Sequence, residues 1–452
     1  MDHPRSKVPA VLAVLFCIAL LGGVGVLLWK TLPAKQAQPV ESIKTDGVFA
    51  QEPSTAEPDR TEPYPDALPD SAEPPSAQQP SGEAQTPSDE TPAEPSEEAP
   101  ASDADAKAQT LLASMTQEEK LWQLFFVTPE AITGVETATV AGNATKQALE
   151  AYPVGGIVYF AKNLETREQA QALLANTQSY AKIPLFLGVD EEGGTVSRIG
   201  ANDALGGTKV ADMRSFGDKA DPAAVYDAGQ SLAANLTGLG FNLDFAPDCD
   251  VAAGRDSVIG SRSFSSDPEL CASLAGVVAR SLRDGGVIPC LKHFPGYGSA
   301  TVDDHNGTSV VDKTLAELQQ TDLVPFASII SAGNAPFVMV THLSYPNIVG
   351  DDTPADLSEK IVTGLLRTEL GFDGVVITDS HAMAAVTDRY SAGEAAVMAL
   401  SAGCDMILMP TDLQAAFDAV QAAVQDGTLS QSRIDESVLR ILTVKAQFGL
   451  LS

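Results

Sequence analysis

The sequence is short of cations, cysteines and histidines, and each shortage argues against a class of function. It has 28 Lys and Arg against 60 Asp and Glu, a formal net charge of −32. Phosphate recognition needs clustered Lys and Arg, so no nucleic-acid partner is expected. There are five cysteines. Cys17 falls in an apolar N-terminal run; Cys249, Cys271, Cys290 and Cys404 show no CxxC or zinc-like spacing. Three of these four lie at or beside apolar strands, so buried free thiols are expected rather than disulfides. The five histidines are scattered, with no HxH or HExxH, so no metal site is expected.

One long charge-free apolar run is present, from Val8 to Leu28, followed by Trp29 and Lys30. Its length, roughly 30 Å as a helix, is enough to span a bilayer. A cleaved signal peptide normally has a shorter core and a small-x-small site. Residues 8–29 are therefore read as an uncleaved anchor with residues 1–7 inside the cell, a cleaved signal being the alternative. Residues 30–106 are rich in Pro, Glu, Ser and Thr and poor in large apolar residues. Such a stretch cannot bury a core and is expected to be an extended linker. Much of the acid sits there, so −32 overstates the acidity of the remainder.

Residues 107–452 have a different texture. Short apolar runs occur at Leu121–Val127, Gly156–Phe160, Pro184–Val189, Phe241–Ala246, Val287–Leu291, Phe337–Val340, Gly374–Ile377 and Asp405–Met409. Helical patterns occupy Thr166–Ala181, Pro222–Leu239, Asp267–Asp284, Leu315–Ala332, Ser358–Leu370, Gly393–Ala402, Leu413–Gln425 and Arg433–Phe448. Eight buried strands alternating with helices predict a parallel sheet, most simply a single α/β (β/α)₈ TIM-type barrel, with an open doubly wound sheet as the alternative. Asp190, Glu191 and Glu192, then Asp248 and Asp250, then Lys292 and His293, then His342, then Asp379 each follow a predicted strand. Polar groups gathered at strand C-termini mark the catalytic face of such a barrel.

Asp379 after GVVIT can serve as nucleophile, base or cation ligand. The loop Lys292-His293-Phe294-Pro295-Gly296-Tyr297-Gly298 is read as an ordered turn, and it leads to Asp303-Asp304-His305. Asp303 and His305 share a side of an extended backbone, and a carboxylate beside an imidazole fixes its tautomer and favours its protonated form. His305 is therefore a candidate general acid/base. Lys292, Arg198 and Arg262 are fixed cations suited to hydroxyls and carbonyls of a neutral polar ligand.

Together these motifs resemble the bacterial β-N-acetylglucosaminidases of glycoside hydrolase family 3, the NagZ-like branch. The resemblance rests on Asp190-Glu191-Glu192-Gly193-Gly194 with Arg198, on Arg262-Ser263-Phe264, on Lys292-His293-Phe294-Pro295-Gly296, on Asp303 with His305, and on Thr378-Asp379. It covers about Ala108 to Leu450. It implies Asp379 as the nucleophile of a retaining mechanism, His305 as acid/base and Asp303 as its partner. It further implies that Asp190, Arg198, Arg262, Lys292 and His293 hold the N-acetylglucosamine ring, with no cofactor. The sequence departs from the family pattern at Thr195, Tyr297 and Asp304. The resemblance leaves as rivals a phosphorylase of the same family and a family 3 β-glucosidase. A rival from another class is a non-catalytic cell-wall glycan-binding module. A monomeric, single-pass membrane enzyme with its catalytic domain outside the cytoplasm, acting on a carbohydrate such as peptidoglycan fragments, is the expectation.

Overall fold

The computed structural model describes residues 102–300 and 309–451. The apolar run 8–29 and the linker up to residue 101 lie outside the described residues. Among the described residues no helix is long and apolar enough to cross a membrane.

The described residues form ten strands in chain order: β1 (Phe125–Val127), β2 (Gly156–Val158), β3 (Phe186–Val189), β4 (Glu191–Gly193), β5 (Val196–Ser197), β6 (Leu243–Asp244), β7 (Ile288–Phe294), β8 (Phe337–Val340), β9 (Val375–Ser380) and β10 (Met406–Leu408). Eight of them form a closed parallel barrel, as the sequence predicts, and β1 pairs with β10 to complete the ring. The other two, β4 and β5, form an antiparallel hairpin directly after β3. The barrel interior is solid. The Phe126 ring occupies the space over Gly156 and Gly188, where a Cβ would come within 2.5 and 2.9 Å of it. Phe245 meets Phe126 edge-on, with ring centroids 5.4 Å apart. A larger residue at either glycine would overpack this layer, at about 1–3 kcal/mol.

Helices Arg167–Tyr180, Pro222–Thr237, Pro268–Asp284, Ala392–Ala402, Leu413–Asp426 and Gln431–Gln447 lie within two residues of their expected spans. The differences have local causes. LWQLFFV is not one strand: its first three residues end the helix Gln117–Gln123, started by a capping box in which Thr116 and Glu119 satisfy each other's backbone N–H groups. A second capping box, Ser102 with Asp105, starts the helix Asp103–Ser114. Leu315–Ala332 breaks into Leu315–Gln320 and Leu323–Ser331, because the Asp322 carboxylate turns inward to pair with Lys313. Residues Lys360–Glu369 form a π-helix. Cys249, Cys271, Cys290 and Cys404 are free and buried, as expected.

The barrel floor carries an unexpected cation. Lys445 is fully buried; its Nζ donates to Gln123 Oε1 at 2.7 Å and lies 4.9 Å from the Phe186 ring centroid. Burial pulls its pKa down to about 7. An amine in the unfolded chain titrates near ~10.4. Between these values the unfolded chain holds a proton that the folded chain has released, so stability rises with pH from about 7 to ~10.4. Below that window the full cost of charging the buried amine is present. Lys445→Met should therefore raise stability by about 1–3 kcal/mol at pH 7, after the loss of the Gln123 bond, and the gain should fade above pH 10. Urea unfolding at several pH values checks this; a variant less stable at pH 7 would contradict it.

Candidate active site

The chemistry gathers at the C-terminal rim because two strands run further than the apolar pattern suggests. β7 continues through Lys292, His293 and Phe294, and β9 continues through Asp379 and Ser380. These side chains are thus fixed by the barrel's own hydrogen bonding rather than by loops. The Lys292–His293 peptide is cis, as are Phe294–Pro295 and Ala246–Pro247. Asp190, Arg198, Arg262, Lys292, His293 and Asp379 all line one cavity of about 260 Å³, so every predicted site residue within the described chain comes together. Larger hollows lie on the outer surface, for example beside Arg283 and Arg440, away from this constellation. Val158, Phe160, Phe245, Met339, Met383 and Met409 complete the cavity with an apolar wall. Met409 adopts a left-handed backbone (φ 50°), rare for a residue with a Cβ, at the edge of this cavity.

Lys292 is the hub. Its buried ammonium sits 2.8 Å from Asp190 Oδ1 and 2.6 Å from Glu192 Oε1. Burial disfavours that charge, yet the two carboxylates outweigh it and hold the lysine above its ordinary range. Arg262 grips Glu192 through both Nε (2.9 Å) and Nη2 (2.8 Å). Burial opposes the Glu192 charge too, but Arg262 and Lys292 hold its carboxyl well below the usual range. Arg198 approaches Asp190 at 3.9 Å. Glu192, absent from the predicted set, is thus the carboxylate that ties the two cations together. The DEE triplet offered a signal for it, but the resemblance singled out only Asp190.

Neighbouring Glu191 has a different task. Its carboxylate accepts the backbone N–H groups of Arg198 (2.6 Å), Ile199 (2.8 Å) and Gly200 (2.8 Å) and the Ser197 hydroxyl (2.8 Å). It folds the β4–β5 hairpin back and so places Arg198 over the cavity. Gly193 and Gly194 turn the hairpin at φ 90° and 59°, where only glycine is at ease.

His293 is oriented by Asp250. Nδ1 lies 2.7 Å from Asp250 Oδ2, and the Tyr297 N–H donates to Asp250 Oδ1 at 2.6 Å. Burial pushes the Asp250 carboxyl up to about 7 and the His293 imidazole down. The Arg262 guanidinium lies 3.4 Å from Nε2 on the other side of the ring. Tyr297, one of the departures from the family pattern, is buried with its ring 5.4 Å from that of His293.

Asp379 accepts the Ser380 N–H at 2.7 Å. Burial works against its charge, but His293, His342, that N–H and Lys292 outweigh it and keep the carboxyl below its usual range. Asp303, Asp304 and His305 lie outside the described residues. The chain on either side of them is anchored. Tyr345 Oη donates to the Gly296 carbonyl at 2.8 Å, and Ser309 and Val311 bond to the backbone of Ser344.

The comparisons with known proteins agree with this geometry. The family model described as "Glycosyl hydrolase family 3 N terminal domain" matches residues 116–444. The chain is 38% identical to a β-hexosaminidase, LpqI, of Mycobacterium tuberculosis over 343 residues, covering 74% of this chain and 84% of that protein. The solved structure of M. tuberculosis LpqI superposes with a TM-score of 0.65 at 35% identity, over 74% of this chain and 95% of that one. A family 3 β-N-acetylglucosaminidase from Paenibacillus sp. str. FPU-7 gives a TM-score of 0.70 at 35% identity, covering 75% of this chain. The match spans 64% of the Paenibacillus chain, under two thirds of its length. A closed eight-stranded barrel, a rim carboxylate facing a lysine–arginine cluster and a family match across most of the chain converge: the chain belongs to glycoside hydrolase family 3.

Proposed function

We propose that the protein is a retaining β-N-acetylhexosaminidase that removes terminal, non-reducing β-linked N-acetylglucosamine. The observation that carries this reading is the single cavity shared by Asp379, kept ionised, and the Asp190–Lys292–Glu192–Arg262 cluster. The cavity falls below the ~300 Å³ at which pockets for drug-sized ligands begin, which suits one sugar ring. Lys292, Arg262 and Arg198 donate to the ring hydroxyls and His293 presents a fixed face beside them. Asp379 attacks the anomeric carbon and forms a glycosyl-enzyme, while His305, paired with Asp303, protonates the departing oxygen. Water then adds to the anomeric carbon, gives its proton to His305 and releases the sugar with its configuration retained.

The names of the relatives support a hydrolase over a phosphorylase or a non-catalytic module. The apolar run 8–29 and the linker support an extracytoplasmic enzyme tethered to the membrane and acting on cell-wall glycan fragments. The test uses p-nitrophenyl β-N-acetylglucosaminide with and without inorganic phosphate. Free N-acetylglucosamine is expected at a rate indifferent to phosphate, with β-anomer released first. Sugar 1-phosphate as the main product would replace the hydrolase reading by the phosphorylase one. Binding of the glycoside without turnover would favour the module.

A further inference from the structure

A second cluster of titratable groups lies beside Asp379. His342 follows β8, Asp356 lies in the short turn of helix Ala355–Leu357, and His381 follows β9; all three are buried. His342 Nε2 is 2.9 Å from the Ser380 carbonyl oxygen, which can only accept, so Nε2 carries a proton. His342 Nδ1 is 3.1 Å from Asp356 Oδ1, an ion-pair contact out of hydrogen-bond alignment, and His381 Nε2 is hydrogen-bonded to Asp356 Oδ2 at 3.0 Å. A neutral imidazole has one N–H. With that proton committed to Ser380, an unprotonated Nδ1 would set its lone pair against a carboxylate oxygen.

We propose that His342 is held as an imidazolium between Asp356 and the Ser380 carbonyl. It acts as a positioning residue that fixes the Asp379–Ser380 backbone and keeps the Asp379 carboxylate charged. The proton belongs to the histidine rather than to Asp356. Burial opposes the Asp356 charge, but His342 and His381 bring its carboxyl down to about 2. Among the described residues the groups facing His342 include Asp356, His381, the Ser380 carbonyl and Asp379. Those facing Asp379 from β7 are Lys292 and His293. The pair His342–Asp356 carries no net charge, yet its positive end lies toward Asp379. The inference rests on Asp379 being the nucleophile, but the protonation of His342 is measurable independently.

The full-length chain labelled with ¹⁵N-histidine should show two N–H signals for His342 up to at least pH 8, and one in Asp356→Asn. The acidic limb of kcat/KM should move to higher pH by about one unit in Asp356→Asn, because the neighbouring positive end is lost. In His342→Gln, whose amide can still donate to Ser380, the limb should move likewise. If one variant does not fold, the other and the wild-type spectrum decide. A single N–H on His342 at pH 7, or an acidic limb unmoved in the folded variants, overturns the proposal. So does one equivalent of zinc in the purified chain that His381→Ala removes, since the three donor atoms lie within 4.8 Å of one another. Were Asp379→Asn fully active, the nucleophile assignment would fall while the signature of His342 stood.

Discussion

Asp379→Asn is expected to lower kcat by roughly 10⁴-fold or more, the scale on which removing a covalent nucleophile acts. The substitution keeps the shape of the side chain and its backbone bond from Ser380, so folding should be little changed. The loss is then chemical: an amide oxygen cannot displace the leaving group and build the glycosyl-enzyme. Removing the side chain opens space for a substitute. Azide added to Asp379→Ala should attack the anomeric carbon once, with a single inversion, and give the α-glycosyl azide. The same reagent given to His305→Ala should intercept the intermediate after one inversion has occurred and give the β-azide. Product stereochemistry therefore assigns the two residues separately. An Asp379→Asn enzyme within tenfold of wild type on p-nitrophenyl β-N-acetylglucosaminide would remove Asp379 from the mechanism.

Lys292→Met should cost both activity and stability. The ammonium is the shared partner of Asp190 and Glu192, at 2.8 and 2.6 Å, and it is almost wholly buried. Deleting it leaves Glu192 with Arg262 alone and Asp190 with an arginine at 3.9 Å. Breaking a buried pair by removing one partner typically costs about 3–5 kcal/mol, because the other charge stays buried. One lost charge-assisted bond to the sugar adds about 1.5–3 kcal/mol to the barrier, a drop in kcat/KM of about 10- to 150-fold. Lys292→Arg should not rescue, since a planar fork cannot take the place of a compact ammonium between two carboxylates. Adding Glu192→Gln to Lys292→Met should restore part of the stability, because the uncompensated carboxylate is gone, without restoring activity. Urea unfolding and kcat/KM on the four members of this cycle read the two effects apart. Equal stability of Lys292→Met and wild type would show that the cluster does not bear on the fold.

The barrel was legible in the sequence because its strands are buried on both faces and carry short uninterrupted apolar runs. The helices were legible through their 3.6-residue period. Boundaries failed where polar atoms decide them. The Thr116–Glu119 capping box was present in the sequence but was hidden by the longer apolar run it precedes. The break at Asp322 leaves no such mark, since it depends on Lys313 being there to meet the carboxylate. Lys292, His293 and Asp379 were assigned to positions after their strands because apolar pattern stops where polar function begins, whereas the backbone ladder continues.

The sequence by itself determined the architecture, the family motifs and the residue types gathered at the rim. Those follow from local periodicity and from short-range order along the chain. Only the tertiary structure decided what each acidic and basic group does. In the run Asp190-Glu191-Glu192, one carboxylate faces the cavity with Lys292, the next clasps a backbone turn, and the third joins two cations. Adjacent residues on an extended chain point in opposite directions, and their partners come from distant strands. The same holds for His342, Asp356 and His381, which are far apart in sequence and meet only because β8 and β9 are neighbours in the barrel. Charge and protonation are set by these encounters, so they could not be read before the chain had folded.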